Sequence, residues 1–188
     1  MARSLLFAGL LAAILAAASP SLADPRSAPV DPETTGVIGL DPRLAHTQRE
    51  NTAALMQEWA EDLAYALLDA WSSDNRVALN GLADLYAARV SFFGRLVDRL
   101  EVQREKRRFA ARWPVRRYEH RPGTMAIDCD VEAKICHVRS TIDWRAENPA
   151  RQTRSRGAAK FELGVSFAGD QPLVAYEGGR VTRVSSAD

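Results

Sequence analysis

The 188-residue chain sets 25 lysines and arginines against 24 acidic residues, a formal charge of +1, and 46% of its residues are hydrophobic. A balance this close to neutral excludes the strong overall field of a general nucleic-acid or acidic-lipid binder, and the length suits one domain around one core. Two cysteines allow a single bridge and exclude a disulfide-dense miniature scaffold.

The N-terminus reads as an export signal. Arg3 precedes an apolar run from Leu5 to Ala18, and Ser21-Leu22-Ala23 offers small residues for cleavage after Ala23. The run of about 14 apolar residues falls short of the ~20 that a spanning helix needs. Residues 1–23 are therefore expected to be a signal peptide, leaving no transmembrane segment in the mature chain. Arginine greatly outnumbers lysine (Lys106, Lys134 and Lys160 are the only lysines), and alanine is abundant. That composition suggests a GC-rich bacterial gene, so the expected location is the periplasm or beyond. Residues 24–46 hold four prolines, two glycines and little periodicity, which reads as a flexible lead-in.

Residues 47–188 are expected to form one domain. Thr47 with Glu50 three residues on has capping-box spacing, and Leu55, Trp59, Leu63, Leu67 and Trp71 recur at helical intervals as far as Ser72. Asp74 or Asn75 caps a shorter helix with the apolar stripe Leu79, Leu82, Leu85 and Tyr86. Val90 to Phe93, closed by Gly94, reads as a strand. Asp98 caps a third helix, Arg99 to Arg112, which Pro114 stops.

The period then changes to two. Met125, Ile127, Cys129 and Val131 share one parity, as do Cys136, Val138, Ile142 and Trp144, and later Ala159, Phe161, Leu163, Val165 and Phe167. A last strand runs from Leu173 to Val184. These predict four long antiparallel strands with one buried face. Placing Cys129 opposite Cys136, with a turn at Glu132-Ala133, also sets Ile127 against Val138 and brings the apolar residues to one face. A slip of one residue would scatter them. Spacing, parity and export together predict a Cys129–Cys136 disulfide. Helices early and strands late give an α+β class: three N-terminal helices packed on a strongly curved, mostly antiparallel sheet.

The stretch "LADLYAARVSFFGRLVDRLEVQREKRRFAARW", Leu82 to Trp113, with the long strands after it, resembles the nuclear-transport-factor-2-like superfamily. That is the cone-shaped, cystatin-like α+β fold shared with ketosteroid isomerase and scytalone dehydratase. The resemblance covers about Thr47 to Val184. It implies a conical pocket between the curved sheet and the helices. Enzymes, ligand binders and interaction domains share this scaffold, so the fold alone leaves function open.

Candidate lining residues for such a pocket are Tyr86, Phe92, Trp113, Tyr118, His120 and Trp144. An isomerase or dehydratase would need a general base in the cone and a donor for the oxyanion. The carboxylate that ketosteroid-isomerase-like members carry on the strand after the second helix is missing from Val90-Ser91-Phe92-Phe93. Other candidates are His120, Asp143 and Glu177, with Tyr86 or Tyr118 as donors. Asp143 has the solvent parity, whereas Glu177 precedes Gly178-Gly179, where a bulge could turn it either way. Neither face of Val115–Arg121 is apolar, so His120, with Arg116 and Tyr118, is expected on a polar strand edge beyond the core. The basic run from Arg104 to Arg121, interrupted by Glu101, Glu105 and Glu119, reads as a solvated face, with an anion site as its alternative. No histidine pair has metal spacing, no glycine-rich phosphate loop is present, and neither a cofactor nor a metal is expected.

The sequence thus favours an exported, non-catalytic domain that binds a small apolar ligand in the cone or a protein partner across the sheet, with homodimerisation as an option and no nucleic-acid role. The alternatives are a small lyase or isomerase acting in the cone and a cell-envelope assembly module.

Overall fold

A computed structural model describes residues 42–187. The expected signal peptide and most of the lead-in lie outside the described residues. The elements are α1 (Pro42–Ser72), α2 (Asn75–Gly81), a 3-10 turn (Leu82–Leu85), β1 (Tyr86–Phe92), β2 (Arg95–Asp98), α3 (Arg99–Arg112), β3 (Val115–His120), β4 (Ala126–Asp130), β5 (Ile135–Asn148), β6 (Thr153–Ser166) and β7 (Leu173–Ala187). Among the described residues no helix is long and apolar enough to cross a membrane.

Helix α1 begins at Pro42, five residues before the expected cap. Proline suits the first helical position, where its missing N–H would be unpaired anyway. Thr47 is inside the helix, and its hydroxyl donates back to the Arg43 carbonyl at 3.1 Å. The buried face of α1 is Met56, Ala60, Leu63, Ala64, Leu67 and Trp71, while Leu55 and Trp59 are half exposed. Trp59 instead stacks on Phe167 at the sheet's end, 6.4 Å between ring centres. Asp74 caps α2 by accepting from the N–H groups of Arg76 and Val77, and Asp98 caps α3 by accepting from Glu101 N–H.

The second helix is shorter than its stripe implies, and Tyr86 already opens β1. Strand β2 has no counterpart in the hydrophobic pattern, because its four residues are mostly exposed and charge flanks it. It exists because Phe93 (φ 47°) and Gly94 (φ 80°) both adopt positive φ, as a two-residue hairpin turn requires.

The sheet runs β2-β1-β7-β6-β5-β3, with β4 also on β5. All pairs are antiparallel except β1 with β7. In place of four long strands there are three, β5 to β7, plus β3 and β4, which share one edge of β5. Pro122-Gly123 separates these two, and Gly123 takes φ 71°. Across the gap Arg121 N–H donates to Thr141 O and Thr141 N–H to Thr124 Oγ1, so the edge stays hydrogen-bonded through the bend. Cys129 pairs with Cys136 and Ile127 with Val138, and the two cysteines are disulfide-bonded. The core lies between α1 and the inner face of β5 and β6, where Val138, Leu163 and Val165 are sealed from solvent. Each such side chain contributes roughly 1.5–3 kcal/mol on burial.

Candidate functional site

The inner face and the helices enclose a cavity of about 730 Å³. Its walls come from five directions: Leu67 and Trp71 of α1, Phe92 of β1, Lys106 and Phe109 of α3, Tyr118 of β3, and Trp144, Phe161 and Glu177 of the long strands. Phe92, Trp113, Tyr118 and Trp144 line it. Trp144 packs closely on its cross-strand partner Gly157, where an added Cβ would stand 2.5 Å from the indole.

Tyr86 lies behind the wall rather than in it. It is 1% exposed, and its hydroxyl donates to Oε2 of Glu177. Burial, and secondarily the adjacent Glu177 carboxylate, raises Tyr86 well above the ordinary phenol value, so it stays a donor. The other oxygen of Glu177, Oε1, accepts from Lys106 Nζ at 2.6 Å. The ammonium also sits 5.1 Å from the Trp71 ring centre and 5.6 Å from that of Phe92. A carboxylate, an ammonium and a phenol thus form one buried cluster beside the aromatic rings of the wall.

Lys106 corrects the solvated-face expectation for the basic run. It falls four residues after Val102 and four before Ala110, both buried, so it occupies the apolar stripe of α3. That spacing was visible in the sequence. Glu177 was not resolvable by parity. β7 shifts register against β6 between Val174 and Tyr176, so Val174 and Glu177, three residues apart, both point inward. Gly178-Gly179 continues this wall, and an added Cβ on Gly179 would meet the Lys160 carbonyl at 2.2 Å.

Strand β3 is an edge of the sheet, but only its odd-numbered face, with Arg117 and Glu119, is solvated; the face with Arg116, Tyr118 and His120 is partly or fully buried, against expectation. Arg116 is 4% exposed and stacks on Trp71, its Cζ 4.4 Å from the ring centre. Its Nη1 donates to Asn75 Oδ1 at 2.6 Å and to Trp113 O at 2.7 Å, and its Nε to Trp71 O at 3.3 Å. These acceptors let so polar a residue be buried. Burial lowers Arg116 from the ordinary guanidinium value and pushes the Tyr118 phenol up to about 12. His120 is turned from the cavity toward α1. It bonds Ser140 Oγ at 2.8 Å and Ala64 O at 3.2 Å, with Tyr65 and Phe161 against its ring. Burial lowers its pKa, opposed by the Ala64 bond and by Asp69 and Glu61. Asp143 is on the outer face, paired with Arg121 at 2.7 Å. Among the described residues no cluster of histidine, cysteine or carboxylate could hold a metal.

No family model matches the sequence, and neither does any curated protein. Solved structures do match. A candidate scytalone dehydratase from Novosphingobium aromaticivorans superposes with a TM-score of 0.63 at 11% identity, over 74% of this chain and 92% of that one. A hexachlorocyclohexane dehydrochlorinase, LinA-type3, from Novosphingobium barchaimii gives 0.56 at 11% identity, over 77% and 92%. A Caulobacter vibrioides protein with a cystatin-like fold gives 0.55 at 12% identity, over 66% and 88%. The chain therefore has the cone-shaped, nuclear-transport-factor-2-like α+β fold. Identities this low speak for the fold alone.

Proposed function

We propose that the domain takes up a small, largely apolar molecule in the cone. The cavity carries this reading: about 730 Å³, walled by aromatic rings and holding a few fixed polar groups, within the roughly 300–1,000 Å³ usual for small-molecule sites. Binding without chemistry is favoured because both Glu177 oxygens already accept from donors, Tyr86 and Lys106. With both oxygens occupied, neither faces a bound molecule free of a protein partner. The disulfide supports the accompanying view that the protein works in an oxidising compartment after export.

A second reading, a lyase or isomerase, rests on Glu177 being a buried carboxylate in the cavity wall. In it Glu177 takes the substrate proton after Lys106 withdraws, and Tyr118 protonates the departing or enolate oxygen. The dehydratase and dehydrochlorinase names among the similar structures favour this class. Native mass spectrometry of the protein purified from an exporting host tests both. A retained small molecule, lost from an Ala159→Phe variant that fills the cavity, supports uptake. Release of that molecule chemically unchanged supports binding, and its conversion on incubation supports the lyase. A wild type that retains nothing and binds no apolar acid, amide or alcohol in calorimetry overturns the cavity reading.

A further inference from the structure

Most charges at the cavity cancel within the wall. Lys106 is paired with Glu177, and Arg108 with Glu105 and Glu101. Arg112, Lys160 and Arg180 also line the cavity, without a carboxylate partner among the described residues, and Arg116 is buried behind Trp71. Arg112, a lining residue on the last turn of α3, lies with its Cζ 5.6 Å from the ring centre of Trp113. Arg116 stacks on Trp71. Among the described residues no carboxylate pairs with Arg112 or Arg116, and the acceptors around Arg116 are neutral: an amide oxygen and backbone carbonyls. Its second amino group, Nη2, is buried with no hydrogen-bond partner at all.

A buried cation without a counter-ion is costly, several kcal/mol for an isolated ion, and an orphaned buried donor adds to that. Such an arrangement is expected where a ligand brings the missing charge. Trp71 and Trp113, the two rings that carry these guanidinium groups, both line the cavity, as does Tyr118, whose ring stacks 6.5 Å from that of Trp71 and whose hydroxyl stays protonated and can donate. The end of α3 is fixed at this spot, because Asn148 Nδ2 donates to the Arg112 carbonyl at 2.9 Å.

We propose that the ligand is an amphipathic monoanion: an apolar, ring-sized body in the cone and one carboxylate directed to the Trp71–Trp113 wall, held by Arg112 and Tyr118 and stabilised by the charge of Arg116. This rests on the cavity-uptake reading above and narrows it to a chemical class.

Titration calorimetry with 2-naphthoate and its neutral isostere 2-naphthamide separates the two statements. At low ionic strength the naphthoate should bind at least about ten-fold more tightly, a preference that shrinks with added salt. Arg112→Gln, at an exposed helix end, should cut the naphthoate-to-naphthamide ratio several-fold. Arg116→Gln should do the same if it folds, and Arg112→Gln decides the matter if it does not. Equal or tighter binding of the amide, or a ratio unmoved by Arg112→Gln, overturns the anion proposal while leaving cavity uptake intact. Binding of neither compound, with no retained molecule in native mass spectrometry, overturns both.

Discussion

Lys106 Nζ and Glu177 Oε1 lie 2.6 Å apart, joining α3 to β7 through a pair whose side chains are only 12% and 6% exposed. Such a pair holds its two elements in one register without necessarily adding net stability. Removing one partner strands the other charge, whereas replacing both with apolar groups is often neutral. Glu177→Gln should therefore lower unfolding free energy by about 3 kcal/mol. The double change Lys106→Met with Glu177→Leu should recover most of that loss. Urea denaturation of the three proteins checks this, and a double variant as weak as the single one would refute it.

The close contact of Trp144 with Gly157 makes a second expectation. A methyl group there would stand 2.5 Å from the indole and 2.1 Å from the Arg183 carbonyl. Gly157→Ala should cost about 1–3 kcal/mol, the range for overpacking, and weaken uptake because the displaced ring enters the cavity. Calorimetry alongside denaturation separates the two effects.

The disulfide should matter for stability and not for the ligand. Its cysteines are seven residues apart and neither lines the cavity. Closing so short a loop stabilises by about 2–3 kcal/mol on the chain-entropy estimate. Replacing both cysteines by serine should lose roughly that amount while ligand affinity holds.

His120 sets a pH dependence. Burial lowers its folded pKa, so the unfolded chain takes up the proton first as pH falls. Stability is full above the ordinary value of about 6.5. It declines below that point until the folded imidazole also protonates. Urea midpoints should drop between pH 7 and pH 5, and His120→Gln should flatten that slope.

The sheet was the most legible part of the sequence. The register of Cys129 with Cys136 and Ile127 with Val138 followed from parity, because slipping it by one residue would have exposed the core. The caps Asp74 and Asp98 were legible for a local reason, since a carboxylate before a helix finds its own backbone donors. What resisted reading was polar burial. Arg116 and His120 looked like surface residues because a sequence does not show that most of the groups that satisfy them, Asn75 for Arg116 and Ser140 and the Ala64 carbonyl for His120, come from 20 to 56 residues away in the chain. Glu177 was hidden by a register shift that breaks the alternation on which parity relies. Lys106 was overlooked although its helical spacing to Val102 and Ala110 gave it away.

Three of the four tryptophans, Trp71, Trp113 and Trp144, stand in the cavity wall, and the fourth, Trp59, stacks on Phe167 and is not among the lining residues. The protein thus carries its own optical gauge. With Trp59→Phe, all remaining indole emission comes from the cavity wall, so entry of any molecule can be followed by its spectrum without an attached dye.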